Sequence, residues 1–113
     1  MELERYGVRQ PDVRIDTADI TQSSVIDFRK FSGGRVLPGA TDLASVTLTW
    51  YECDTEDGTY VPVDSGGSPV TSTLRGTGNP ASCEIPDACW PCLFLKILSN
   101  ADDGETVTIV KKP

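Results

Sequence analysis

The sequence predicts an all-β fold, a small antiparallel β-sandwich or jelly-roll-like barrel of about seven strands. Three observations predict it: apolar residues that recur at every second position, glycine and proline clusters that interrupt those runs, and no apolar stripe of helical period longer than a turn. At 113 residues the chain has the length of one domain with one core.

The clearest run is SVTLTWYEC, where Val46, Leu48 and Trp50 share one face and Thr47, Thr49 and Tyr51 the other. It leads through DTEDG, with the turn signal Asp57-Gly58, into TYVPV, so residues 45–63 are expected to form a β-hairpin. Pro62 has no N–H for a ladder, so the return strand is expected to lie at an edge or to be bulged there. A second hairpin is expected to close the chain: LFLKIL puts Leu93, Leu95 and Ile97 on one face, NADDGE turns, and TVTIVKK returns with Val107 and Ile109 inward. Ile26 with Phe28, and Val70 with Leu74, mark two further strands, and VRIDT and CEIP are shorter extended pieces. The clusters SGGRVLPGA, DSGGSP and GTGNP read as loops where ladders stop. Residues 1–22 carry the least pattern and are expected to form an N-terminal arm, leaving residues 23–113 as the sandwich domain.

Charge narrows the partners. The net charge is −7; residues 1–36 hold six basic and six acidic side chains, and residues 37–113 hold four and eleven. An acidic body repels phosphate backbones and anionic lipid, so neither nucleic acid nor a membrane is an expected partner. The opening MELERYGVRQ lacks the basic and apolar regions of a secretory signal, and no apolar run approaches the ~18 residues of a membrane span; synthesis and folding in the cytoplasm are expected.

Histidine is absent, which removes the usual general base, the Ser-His and Cys-His nucleophile pairs and the commonest metal ligand. No carboxylate pair sits in a pattern that implies a raised pKa, so the chain is expected not to be an enzyme and to need no cofactor. The acidic tips DTEDG and NADDGE lack the alternating ligands of a calcium loop and are read as solvated turns.

Three of the four cysteines fall in ASCEIPDACWPCLFLKI. Cys89-Trp90-Pro91-Cys92 has the C-x-x-C form of a thiol oxidoreductase, yet it lacks the βαβ context such a motif needs. Cys53, Cys83, Cys89 and Cys92 together have the number for a closed zinc site, but only one of the two expected knuckles is present. In a reducing cytosol they act as small buried hydrophobes, and in an oxidising one a pair can close; sequence does not choose between Cys89 with Cys92 and Cys53 with one of the others. Among the aromatics Trp50 is in phase with the core, whereas Tyr51 and Tyr60 are expected to point outward as ligand contacts.

The segments IDFRKFSGG, TLTWYECDTEDGTYVPV and EIPDACWPCLFLKILSNADDGETVTIVKK resemble small β-sandwich accessory proteins encoded near the major capsid gene of tailed bacteriophages and prophages. The shared pattern is a strand ending in an aromatic residue, a D-G-T-Y/F hairpin, an IPDA loop and an LKI strand before the closing hairpin, over about residues 24–112. Cys83 and Trp90-Pro91-Cys92 depart from it, standing where small or apolar residues belong. The resemblance implies a capsid decoration or cement protein: a noncatalytic virion component on the outer capsid surface, bound to the major capsid protein as a homotrimer and made in the host cytoplasm. Residues 1–22 would then be the docking arm, with Arg5, Tyr6, Arg9 and Arg14 as contacts, tyrosine and arginine being favoured at interfaces. The alternatives are a carbohydrate-binding or adhesive module using Tyr51 and Tyr60, and a zinc-stabilised interaction domain built on the cysteines.

Overall fold

The computed structural model describes residues 8–38, 45–75, 81–100 and 106–113. Its strands, in chain order, are β1 (Val8–Arg14), β2 (Ile26–Asp27), β3 (Gly33–Pro38), β4 (Val46–Cys53), β5 (Val61–Pro62), β6 (Asp64–Ser65), β7 (Ser68–Pro69), β8 (Thr71–Leu74), β9 (Cys83–Glu84), β10 (Phe94–Ser99) and β11 (Thr106–Lys112). One sheet runs β1-β11-β3-β9; the second runs β2-β10-β4-β5, with β8 also paired to β4. All pairs between these strands are antiparallel, and the chain is all-β, its antiparallel sheets packed as in a small β-sandwich.

The period-two faces meet between the layers. Val13, Val36, Val107 and Ile109 come from the first sheet and Ile26, Leu48, Trp50, Leu95 and Ile97 from the second, all in one hydrophobic cluster. Each such side chain, removed from water, contributes about 1.5–3 kcal/mol before entropy is charged against it. Trp50 is fully buried, and its indole N–H donates to Ser72 Oγ at 2.9 Å, so the largest core residue leaves no polar atom unpaired.

The 45–63 hairpin forms as expected, with Tyr51 opposite Pro62 and Glu52 opposite Val61. Pro62 lies on the sheet edge, where its missing donor costs nothing. The edge then continues in β8. Val63 N donates to Trp50 O and Trp50 N donates to Val70 O, while Val70 N donates to Val63 O, so residues 64–69 stand out as an insertion opposite one core residue. That insertion, DSGGSP, is more than the expected loop. It is a small hairpin of β6 and β7 whose tip residues Gly66 and Gly67 have φ of 66° and 90°, the left-handed pair a type I′ turn demands.

Three expectations are corrected. The predicted closing hairpin does not form: β10 pairs with β2 and β4, and β11 pairs with β1 and β3 in the opposite layer. Alternation specifies which side chains of each strand turn inward, and two strands facing each other across a core satisfy it as well as two lying side by side. Leu93, expected inward, precedes the strand in a bend and is 42% exposed.

The boundary at residue 22 is also corrected. Val8–Arg14 is a strand of the first sheet, and Val13 and Ile15 are among the most buried residues. Pro11 and Asp12, the latter at φ 56°, bulge the strand between Gln10 and Val13, which hides its alternation. The chain then crosses to the second sheet through a bonded corner: Asp16 accepts from the N–H groups of Ala18 and Asp19, and Ser23 Oγ accepts from Asp16 N and donates to Ile97 O at 2.7 Å.

Candidate functional site

At the end of the sandwich where β11 finishes, the register brings Lys112 beside Gly33 and Lys111 beside both Gly34 and Val8. The same end receives the segment between β9 and β10. Pro86, with φ −57°, begins a 3-10 turn over Asp87–Cys89, and its carbonyl accepts from Cys89 N at 2.9 Å. A second turn follows, closed by Cys92 N donating to Cys89 O at 3.0 Å. Trp90 and Pro91 at its apex are exposed.

Trp90 is held in place although it is 44% exposed. Its indole N–H donates to Ile85 O at 3.2 Å, and its ring lies over Gly33, where an added Cβ would stand 3.7 Å from the indole. The result is an open groove of about 530 Å³ walled by Trp90, Glu84, Arg35 and Lys112 over the Gly33-Gly34 backbone. Arg35 is partly committed, donating to Ser82 Oγ at 2.9 Å and lying 3.7 Å from Glu84. Among the described residues no carboxylate pairs with Lys112. A rigid aromatic face beside one available cation suits an apolar and acidic segment of another protein. The groove's one side-chain carboxylate among the described residues, Glu84, faces the Arg35 guanidinium.

Behind the turn lies a thiol cluster. Cys89 is fully buried and Cys92 is 7% exposed. Glu52 shares the inward parity of Leu48 and Trp50 but stands at the end of β4, where its Oε1 accepts from Cys92 Sγ at 3.3 Å. Burial, then the Glu52 hydrogen bond and charge, push the Cys92 thiol up to about 12. Burial chiefly, with the neighbouring Cys92 and Glu52, pushes Cys89 far above the ordinary thiol range. Burial likewise raises Cys83. Thiols so placed stay protonated at neutral pH, the reverse of a catalytic cysteine.

The cysteines do not assemble a metal site. Cys83 is on β9 of the first sheet, whereas Cys53 ends β4 of the second with its Sγ near Thr55 Oγ1 at 3.7 Å. Among the described residues no three His, Cys, Asp or Glu side chains converge as a cation site, so the zinc arrangement that the cysteine number allows is not built.

Of the tyrosines expected outward, Tyr51 is half-buried and Tyr60 is buried at 8% exposure. Tyr60 O–H donates to Glu56 O at 2.9 Å, and the Lys96 ammonium lies 4.8 Å from its ring centre. Tyr60 therefore packs the outer side of the second sheet and offers no stacking face. Arg9 and Arg14 are both exposed, on β1; Arg14 also bonds Asp16 at 3.1 Å. Arg5 and Tyr6 lie outside the described residues. No local sequence signal marks the groove residues Arg35 and Lys112, which come from strands far apart in the chain. Glu52 carried one signal, its parity with Trp50.

Comparison with known protein families, curated proteins and solved structures finds no match for this chain.

Proposed function

We propose that the chain is a non-enzymatic virion structural protein, a capsid decoration or cement protein that binds the outside of a phage head and stabilises it. The observation that carries this reading is an exposed aromatic side chain, Trp90, held rigidly beside Lys112 and Arg35 over an open groove that Glu84 also lines. Trp90, Leu93 and Val8 are each more than 40% exposed, and Lys30 of the turn before β3 is exposed as well. A preformed aromatic anchor with a polar rim is how a small domain gains affinity from few residues. The resemblance of residues 24–112 to capsid accessory proteins supplies the partner, the major capsid protein, and the homotrimer.

The mechanism needs no reaction. A protein that binds only the assembled, expanded shell shifts the equilibrium away from disassembly by the free energy of its own binding. A trimer multiplies weak contacts into avidity, so each groove need not bind tightly. The carbohydrate-binding alternative is weakened by the burial of Tyr60, which removes half of the expected stacking pair.

The test is to mix purified chain with expanded and unexpanded heads of the encoding phage and to pellet the particles. Retention on expanded heads, reduced by Trp90→Ser, supports the reading. Retention on neither removes it.

A further inference from the structure

The turn at residues 89–92 does more than shape the groove. Its closing bond, Cys92 N to Cys89 O at 3.0 Å, joins residues i and i+3. Such a turn brings its end Cα atoms within about 7 Å, inside the span a disulfide bridges. Both cysteines belong to the same buried cluster, and each is free. Neither Cys53 nor Cys83 shares the turn: one ends β4 and the other lies on β9. Cys92 as a residue is 7% exposed, next to the exposed Trp90 and Pro91, and its thiol donates to Glu52.

We propose that Cys89 and Cys92 are a latent dithiol site that a small-molecule disulfide such as oxidised glutathione closes into one intrachain bond, and that the Glu52 carboxylate holds the pair in its reduced, slow-reacting form. The step runs in two exchanges. Cys92, as thiolate, attacks one sulfur of the oxidant; the oxidant's S–S bond breaks and one glutathione leaves as thiolate. Cys89, as thiolate, then attacks the Cys92 sulfur of the mixed disulfide and releases the second glutathione. Two cysteine thiols are oxidised by two electrons, one disulfide is reduced to two thiols, and the two protons pass from the cysteines to the departing glutathiones. Glu52 restrains the first exchange because its charge and its hydrogen bond both disfavour the Cys92 thiolate. The site stands independently of the capsid reading.

The full chain is incubated with oxidised glutathione at pH 7 to 9, free thiols are then alkylated, and the peptides are weighed. The expected result is loss of two of the four alkylation sites, at Cys89 and Cys92. The rate should rise about tenfold per pH unit, as for a thiolate far below its pKa. Glu52→Gln should accelerate closure about tenfold or more with Cys83 reactivity unchanged, which separates loss of the guarding charge from general loosening. Cys89→Ser should trap glutathione on Cys92. Four thiols still alkylated after prolonged oxidation at pH 9, or pairing through Cys53 or Cys83, overturns the site; closure at equal or lower rate in Glu52→Gln overturns the role of Glu52. The wild-type measurement stands even where a variant fails to fold.

Discussion

Lys111 Nζ donates to the Asp27 carbonyl at 3.0 Å, a bond between the two layers of the sandwich. The ammonium, on a residue only 7% exposed, also donates to Gln10 Oε1 at 3.1 Å and lies 5.0 Å from the Phe31 ring centre. Lys111→Met keeps the stem but leaves two acceptors without their donor, and should lower stability by about 1–3 kcal/mol in denaturant melts. Burial lowers the Lys111 pKa below its ordinary 10.5. Above that lowered pKa the unfolded chain binds the proton more readily than the folded one, so this group's contribution to stability rises with pH up to about 10.5. The methionine variant should lack that rise.

Asp27 and Arg29 form a surface pair with Nη2–Oδ2 at 2.7 Å. The Arg29 hydrogen bond is the main cause that holds the Asp27 carboxyl down at about 2, against an ordinary 3.8. A depressed carboxylate contributes stability above pH 3.8 that is lost as pH falls toward 2. Both side chains are about half exposed, so solvent screening keeps that contribution small. Arg29→Met should return the Asp27 pKa toward 3.8 in a carboxyl NMR titration while changing the melting temperature little.

Neighbouring glycines should respond differently to alanine. Gly34 has φ 154°, and an added Cβ would collide with the Val110 carbonyl on β11. Gly33 would meet only the Trp90 ring, at 3.7 Å, an ordinary contact. Gly34→Ala should cost more than about 2 kcal/mol, and Gly33→Ala less than about 1, in parallel melts.

Tyr60 is pushed up to about 12 by burial first and by the nearby Cys53, Glu56 and Asp57 charges. A phenol so raised contributes stability that is whole below pH 10 and lost as pH climbs toward 12. Tyr60→Phe should abolish this late-titrating phenol in an ultraviolet titration. It should also cost about 0.5–1.5 kcal/mol for the lost bond to Glu56 O.

The strands were legible where alternation was clean. Val46, Leu48 and Trp50 lie inward as their spacing requires, and Pro62 lies at the edge because it lacks a donor. The layer in which a strand sits was not legible: Leu95 and Ile109 are inward under either arrangement, and only long-range pairing separates β10 from β11. Val13 and Ile15 were readable as core only once the bulge at Pro11-Asp12 was known. The groove and the thiol cluster depend on residues such as Lys112 with Gly33, and Glu52 with Cys92, whose closeness is a property of topology.

The role proposed for this domain is to stabilise a shell by binding it. The most direct measurement is the thermal disassembly of expanded heads, followed by light scattering, with and without saturating protein. The disassembly midpoint is expected to rise with protein concentration to a plateau, and Trp90→Ser to require more protein to reach it. A midpoint that stays at the bare-shell value at saturation would rule out the proposed role.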